Sequence, residues 1–253
     1  MEEIKRLREM MKSYTAADED FDSDMNHGIK KPSLAKYHEG SKRIHLPKNF
    51  EKILQNNNFY QLLTERKSCR KYSYDTISLQ ELSYLLYATQ GVKKVIKDQT
   101  ATLRNVPSGG AIHPFETYIY ANNVSGLEEG LYHYLPIEHE LEKLIIADSF
   151  KKTISEAFLG QTFLTEAPVS FYWSILPYRC EWKYASKAHR VALMDLGCIC
   201  QTLYLAAESI ACGTCMVGAY DQEMADTLFG FDTTPGDNTD VEFLLGGAGV
   251  GLQ

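Results

Sequence analysis

The chain has 253 residues, 44% hydrophobic and 23% charged, which excludes a disordered or fibrous polymer and leaves room for one large domain or two small ones. Its 26 basic and 33 acidic residues give a net charge of −7, the wrong sign for a general nucleic-acid binder, whose surface must neutralise phosphates. No apolar run approaches the roughly 18 residues of a membrane span, and Met1-Glu2-Glu3 lacks the basic-then-apolar pattern of a secretory signal. A cytoplasmic protein with no membrane partner and reduced cysteines is the expectation.

In chain order, Ile4, Leu7 and Met11 stand at helical spacing among charges and predict a short amphipathic helix within the first 13 residues. The run from Asp18-Glu19-Asp20 to Asp24 is acidic and poor in apolar residues, as a solvated linker is. Residues 1–49 thus read as an N-terminal helix and acidic linker, and 50–253 as the main domain. Phe50, Ile53, Leu54, Leu62 and Leu63 suggest a helix interrupted or ended near Asn56-Asn57-Asn58. Ser78-x-x-Glu81 has capping-box spacing and opens a helix whose one face carries Leu79, Leu82, Leu85, Leu86 and Thr89, up to Gly91.

Residues 115–121 are aromatic and β-branched and read as a strand. So do residues 168–176, where Val169, Phe171, Trp173 and Ile175 alternate with Ser170, Tyr172 and Ser174. From Ala188 to about Ile210 the chain is apolar on most faces and free of proline, which predicts a long central helix stopping at Gly213. Two short strands, 216–219 and 241–245, flank a helix that Asp221 caps. This order predicts an α+β sandwich around a central sheet.

Three segments carry candidate chemistry. In Arg66-Lys67-Ser68-Cys69-Arg70, two guanidinium groups and a hydroxyl at i, i+2 and i+4 project to one side of an extended chain and can clamp an anion; the same residues also read as a solvated basic loop. Arg104-Asn105-Val106-Pro107-Ser108-Gly109-Gly110-Ala111 offers bare backbone to a flat ligand, or is simply a turn. Trp182-Lys183-Tyr184 precedes Lys187, His189 and Arg190 at the entry to the long helix, where an anion or only water can sit. Cys198 and Cys200 point roughly 200° apart on a helix, which disfavours a shared metal. Cys212-x-x-Cys215 is a redox pair or two buried thiols.

As an ordered set these segments resemble the FMN-dependent nitroreductase family, and more closely its SagB-type branch, which includes the azoline dehydrogenases of thiazole- and oxazole-containing peptide biosynthesis. The resemblance spans about residues 60–250, through Arg66-x-Ser68-x-Arg70, Thr89-Gln90-Gly91, Arg104-x-x-Pro107-Ser108-Gly109-Gly110-Ala111 with Pro114-x-Glu116-x-Tyr118, Gly130-Leu131-Tyr132-His133-Tyr134, Lys183-Tyr184, and 213–218. It implies a nitroreductase-like sandwich, with a mainly antiparallel sheet flanked by helices, in an interlocked homodimer holding FMN at the subunit interface. Arg66, Ser68 and Arg70 would hold the phosphate and ribityl chain. Pro107, Ser108, Gly109 and Gly110 would line the isoalloxazine with a backbone N–H near N5, and Arg104 would face the pyrimidine edge. Gly213 and Thr214 would close the opposite side. His113 stands where this branch commonly has tyrosine, and the chain ends without the basic residue many relatives place on the phosphate, a role left to Arg190.

The resemblance also implies catalysis by Lys183 and Tyr184. Oxidising a thiazoline to a thiazole removes a hydride and a proton, so a base is required; a lysine or tyrosine serves only where burial or charge lowers its ordinary pKa near 10. A surface lysine beside a core tyrosine is the competing reading. The leading expectation is an FMN-dependent dehydrogenase acting on an azoline or related unit of a ribosomally made peptide, passing electrons to oxygen. Fifty residues are too few for a separate peptide-recognition domain, so a partner modification enzyme would present the substrate. The alternatives are an NAD(P)H-dependent nitro or quinone reductase and a non-catalytic scaffold subunit.

Overall fold

The computed structural model describes residues 1–13, 22–96, 100–233 and 241–253. The elements run α1 (Glu2–Met10), β1 (Arg43–His45), α2 (Phe59–Glu65), β2 (Ile77–Ser78), α3 (Leu79–Gln90), β3 (Val92–Val95) and β4 (Thr102–Arg104). There follow β5 (Phe115–Ala121), β6 (Val124–Ser125), β7 (Gly130–Leu135), β8 (Glu140–Lys143), α4 (Phe150–Ala157), α5 (Phe163–Glu166) and β9 (Val169–Ile175). The chain closes with α6 (Pro177–Tyr184), α7 (Ala188–Ser209), β10 (Cys212–Val217), α8 (Gln222–Phe229) and β11 (Phe243–Leu252).

Seven strands make one sheet in the order β1-β8-β7-β5-β9-β11-β10, with every neighbouring pair antiparallel. Its two faces carry separate cores. Leu82, Leu85 and Leu86 of α3 and Leu196, Ile199 and Leu203 of α7 pack against Ile119, Phe171 and Trp173. On the other face, Phe150 and Ile154 of α4 and Ala225 of α8 cover Tyr118, Tyr120 and Tyr172. The α+β sandwich with its antiparallel central sheet is therefore present.

Helices cap where the sequence directs. Ser78 Oγ accepts from the Glu81 N–H while the Glu81 carboxylate accepts from the Ser78 N–H, closing the capping box of α3. Asp221 accepts from Met224 N–H at the start of α8, and Asn58 caps α2, so the asparagine run opens that helix rather than ending one. Three expectations shift. β9 is buried along its whole length, because serines as well as aromatics face a covered side of the sheet. The strand expected at 241–245 runs on through the glycine-rich tail as β11: a Cβ at Gly246 would meet Met216 at 2.3 Å, and one at Gly251 would meet Pro168 and Tyr72 at 2.8 Å. α7 is buried on one side only, with Leu193 and Met194 61% and 59% exposed.

α1 forms as its spacing predicts, with none of its residues buried. Of the acidic stretch, residues 18–21 lie outside the described residues. From Asp22 onward the chain is tied to the body: Met25 N–H donates to Trp182 O (2.9 Å), Trp182 Nε1–H to Ile29 O (2.8 Å) and Tyr178 O–H to Asp24 (2.6 Å). β1 then joins the main sheet as its edge strand, so the sheet crosses the boundary at residue 49. The helical run 177–209 has the length and apolar composition of a membrane span; it breaks at Ala185 (φ 41°) and packs through α7 on α3 and β10 as a core helix.

Candidate functional site

α7 organises two clusters of candidate residues, one at each half of its length. Around the first half, Asp195 projects from the helix into the turn 107–110. Its carboxylate accepts the Ser108 hydroxyl at 2.6 Å and the Gly109 N–H at 3.0 Å, and Ser108 Oγ in turn accepts the His113 N–H at 2.9 Å. Burial pushes the Asp195 carboxyl up, opposed by these two donors. The Gly109 amide is thus engaged inside the chain, while Pro107 and Gly110 stay exposed.

Gly110 has φ +59°, a left-handed conformation open to glycine at little cost. Space requires glycine as well: a Cβ there would lie 2.5 Å from the Tyr184 hydroxyl and 2.6 Å from Lys183 Nζ. A Cβ on Gly109 would strike Val191 of α7 at 2.3 Å. α6, opened by Pro177, ends at Tyr184 and so delivers Lys183 and Tyr184 onto the glycine turn, with Lys183 Nζ 5.5 Å from the Tyr184 ring centre. Lys31, from the segment crossing α6, lies close by, and its pKa is pushed down by burial and by the Lys183 charge.

Around the second half of α7, the segment 66–70 runs beside β10. Cys69 N–H donates to Thr214 O (2.9 Å), Ser68 bridges to Thr214 in parallel, and Ser68 Oγ lies 3.2 Å from the Tyr204 hydroxyl of α7. Gly213 permits the approach, since a Cβ there would meet Cys69 Cβ at 2.5 Å. Arg66 lies over the Tyr204 ring and Arg70 over Phe163, and neither has an ion pair among the described residues. Two unneutralised guanidinium groups flanking an exposed hydroxyl can take a phosphate. Thr214 itself is buried and donates to Gly249 O at 2.8 Å, so it offers this surface backbone rather than side chain.

Two candidates lie apart from both clusters. Arg104 is buried, donates to Gln90 Oε1 (2.9 Å) and Thr102 Oγ1 (3.3 Å), and is pushed by burial down to about 10, still charged at neutral pH. Beside it Gln90 Nε2 is buried with no hydrogen-bond partner among the described residues. Arg190 Nε–H donates to Met11 O at 2.8 Å, just past the end of α1. The cysteines are free; Cys212 and Cys215, three apart on a strand, face opposite cores.

Asp195 was not singled out by its spacing, yet a signal was present: it is the one charged residue between Arg190 and Glu208 in an apolar helix, and a buried carboxylate needs donors.

A family model, the nitroreductase family, matches residues 63–251. A protein of Methanocaldococcus jannaschii described as a nitroreductase is 34% identical over 168 residues, covering 66% of this chain and 82% of its own. The microcin B17-processing protein McbC of Escherichia coli is 26% identical over 136 residues, 52% of this chain and 50% of that protein, so the match spans half the length of that relative. Among solved structures, a chain of the Escherichia coli microcin synthetase McbBCD complex with truncated pro-MccB17 bound superposes with a TM-score of 0.60 at 18% identity, over 99% of this chain and 91% of that one.

Proposed function

The chain belongs to the nitroreductase family and is related to its SagB-type members, and on that premise we propose that it is an FMN-dependent dehydrogenase oxidising an azoline unit in a ribosomally made peptide. Proteins of this family are oxidoreductases that generally bind flavin. Bound FMN would accept the hydride taken from the azoline ring, and dioxygen would receive the electrons in turn.

The chain's own residues supply the rest. Arg66, Ser68 and Arg70 would hold the phosphate and ribityl chain. Pro107, Ser108, Gly109 and Gly110 would line the isoalloxazine, and the buried Arg104 would supply the positive charge that stabilises its reduced, anionic form. Gly213 and Thr214 close the other side with backbone. Lys183 and Tyr184 hold the azoline over the glycine turn, and one of them takes the ring proton. Asp195 fixes the turn.

One observation carries this reading: the Lys183 amine and Tyr184 hydroxyl converge on Gly110, where not even a methyl group fits. The exposed Leu193 and Met194 of α7 support a homodimer, and the relation to McbC supports a partner modification enzyme that presents the peptide. Mixed anaerobically with a thiazoline peptide and that partner, the FMN-loaded protein is expected to lose its yellow colour. Bleaching by NAD(P)H but not by peptide would instead establish the nitro or quinone reductase reading, which the similarity to the archaeal relative favours.

A further inference from the structure

A second constellation lies on the opposite side of the sheet from α7, unrelated to the redox residues. His133 of β7 stands directly across from Glu142 of β8 and beside Tyr118 of β5 in the sheet register. His38 reaches over this pair from the segment that crosses α6. Glu142 Oε2 is 3.2 Å from His38 Nδ1 and 3.3 Å from His133 Nδ1, and one donor atom from each of the three residues lies within 4.8 Å of the others. His133 and Glu142 are fully buried, whereas the His38 side chain is 28% exposed.

We propose that His38, His133 and Glu142 form a binding site for a divalent transition-metal ion, zinc by its donor set, that fastens the N-terminal segment to the sheet. Two imidazole nitrogens and one carboxylate oxygen are a recurrent zinc set, completed by a water. Ligands at 2.0–2.1 Å in a tetrahedron are about 3.3 Å apart, which is the spacing between Glu142 Oε2 and both imidazole nitrogens. The ion would replace the protons that now lie between those rings and the carboxylate.

The outer contacts have the form metal-binding histidines use. His133 Nε2 is 3.0 Å from Glu116 Oε2, and Glu116 is itself held by Arg179 at 2.6 Å and by the Lys36 N–H at 3.2 Å. A carboxylate on the far nitrogen sets the tautomer and turns the near nitrogen toward the ion. Glu142 also supplies a second observation: among the described residues its Oε1 is buried without a hydrogen bond, with the Arg43 guanidinium 3.5 Å away. The Arg43 ion pair thus falls on Oε1, while Oε2, which also accepts the His38 N–H at 3.0 Å, is the oxygen turned to both imidazoles. The partly exposed edge at His38 provides the entry and the water position.

The experiment uses the full chain, stripped with a chelator and titrated with zinc by calorimetry and with cobalt by visible absorption. One ion per chain is expected, with a tetrahedral cobalt spectrum free of thiolate charge transfer and a raised melting temperature. His38→Ala, at a partly exposed position, is expected to lose stoichiometric binding and the thermal gain. His45→Ala, at a neighbouring exposed histidine, is expected to keep both. Absence of stoichiometric binding, equal binding by His38→Ala, or a cobalt–thiolate spectrum from the six cysteines would each overturn the proposal.

Discussion

Replacing Gly110 by alanine separates the chemical role of the glycine turn from its structural one. The substitution does two things. It places a Cβ at φ +59°, costing about 1–2 kcal/mol for an L-residue, or about 2–8 °C in Tm for a chain of this size. It also pushes the tips of Tyr184 and Lys183, which would lie at 2.5 and 2.6 Å, outward by about 1 Å to ordinary contact. Both are the far ends of flexible side chains, so the fold accommodates them at small further cost. A displacement of about 1 Å in a catalytic group costs about 100-fold in rate. The control is Gly40→Ala, where φ is +75° and nothing lies within 4 Å, so the backbone strain comes without the push. Both variants are expected to melt a few degrees lower, but only Gly110→Ala loses turnover of the azoline peptide. Equal rates in the two variants would refute the placement of Lys183 and Tyr184 at the reacting centre.

Other outcomes follow from the same geometry. Arg66→Ala is expected to weaken FMN about 10- to 100-fold, as loss of a charge-assisted bond does, while riboflavin, lacking the phosphate, binds as before; fluorescence titration of both ligands measures it. Asp195→Ala strands the Gly109 N–H and is expected to cost about 1–3 kcal/mol in urea unfolding. Charging the exposed stripe of α7 with Leu193→Glu is expected to convert a two-chain mass to one in light scattering. Burial pushes His139 down to about 4, and its two partners, Ser83 and Tyr134, suit a neutral ring. A folded pKa below the unfolded value near 6.5 means stability is fully present above pH 6.5 and lost as pH falls toward 4, by about 3 kcal/mol; His139→Gln flattens that slope in a pH series of unfolding midpoints.

Local rules made much of the fold legible. The Ser78–Glu81 spacing fixed the start of α3, and a proline-free apolar run fixed α7 almost to the residue, because caps and periodicity act within a few positions. What failed was decided by tertiary contact. Alternation along β9 suggests one wet face, but α4, α5 and α8 cover the side that Ser170, Tyr172 and Ser174 occupy. The strand expected at 241–245 continues to Leu252 because Met216, Tyr172 and Pro168 crowd the glycines from neighbouring strands and loops, where only a bare backbone fits. In the candidate site, the motif residues were readable because they are close in sequence. Asp195 and the joining of His38 to His133 and Glu142 were not, since each depends on a partner dozens of residues away.

In the proposed reaction Lys183 and Tyr184 do chemistry on an azoline beside a flavin. Mass spectrometry of a thiazoline peptide incubated aerobically with the FMN-loaded protein and its presenting partner tests it most directly. Loss of two hydrogens per ring is expected with the wild-type chain, and a loss slowed by orders of magnitude with Lys183→Ala and Tyr184→Phe, each retaining bound FMN. An unchanged peptide mass with the wild type, or undiminished conversion by the double variant, would contradict it.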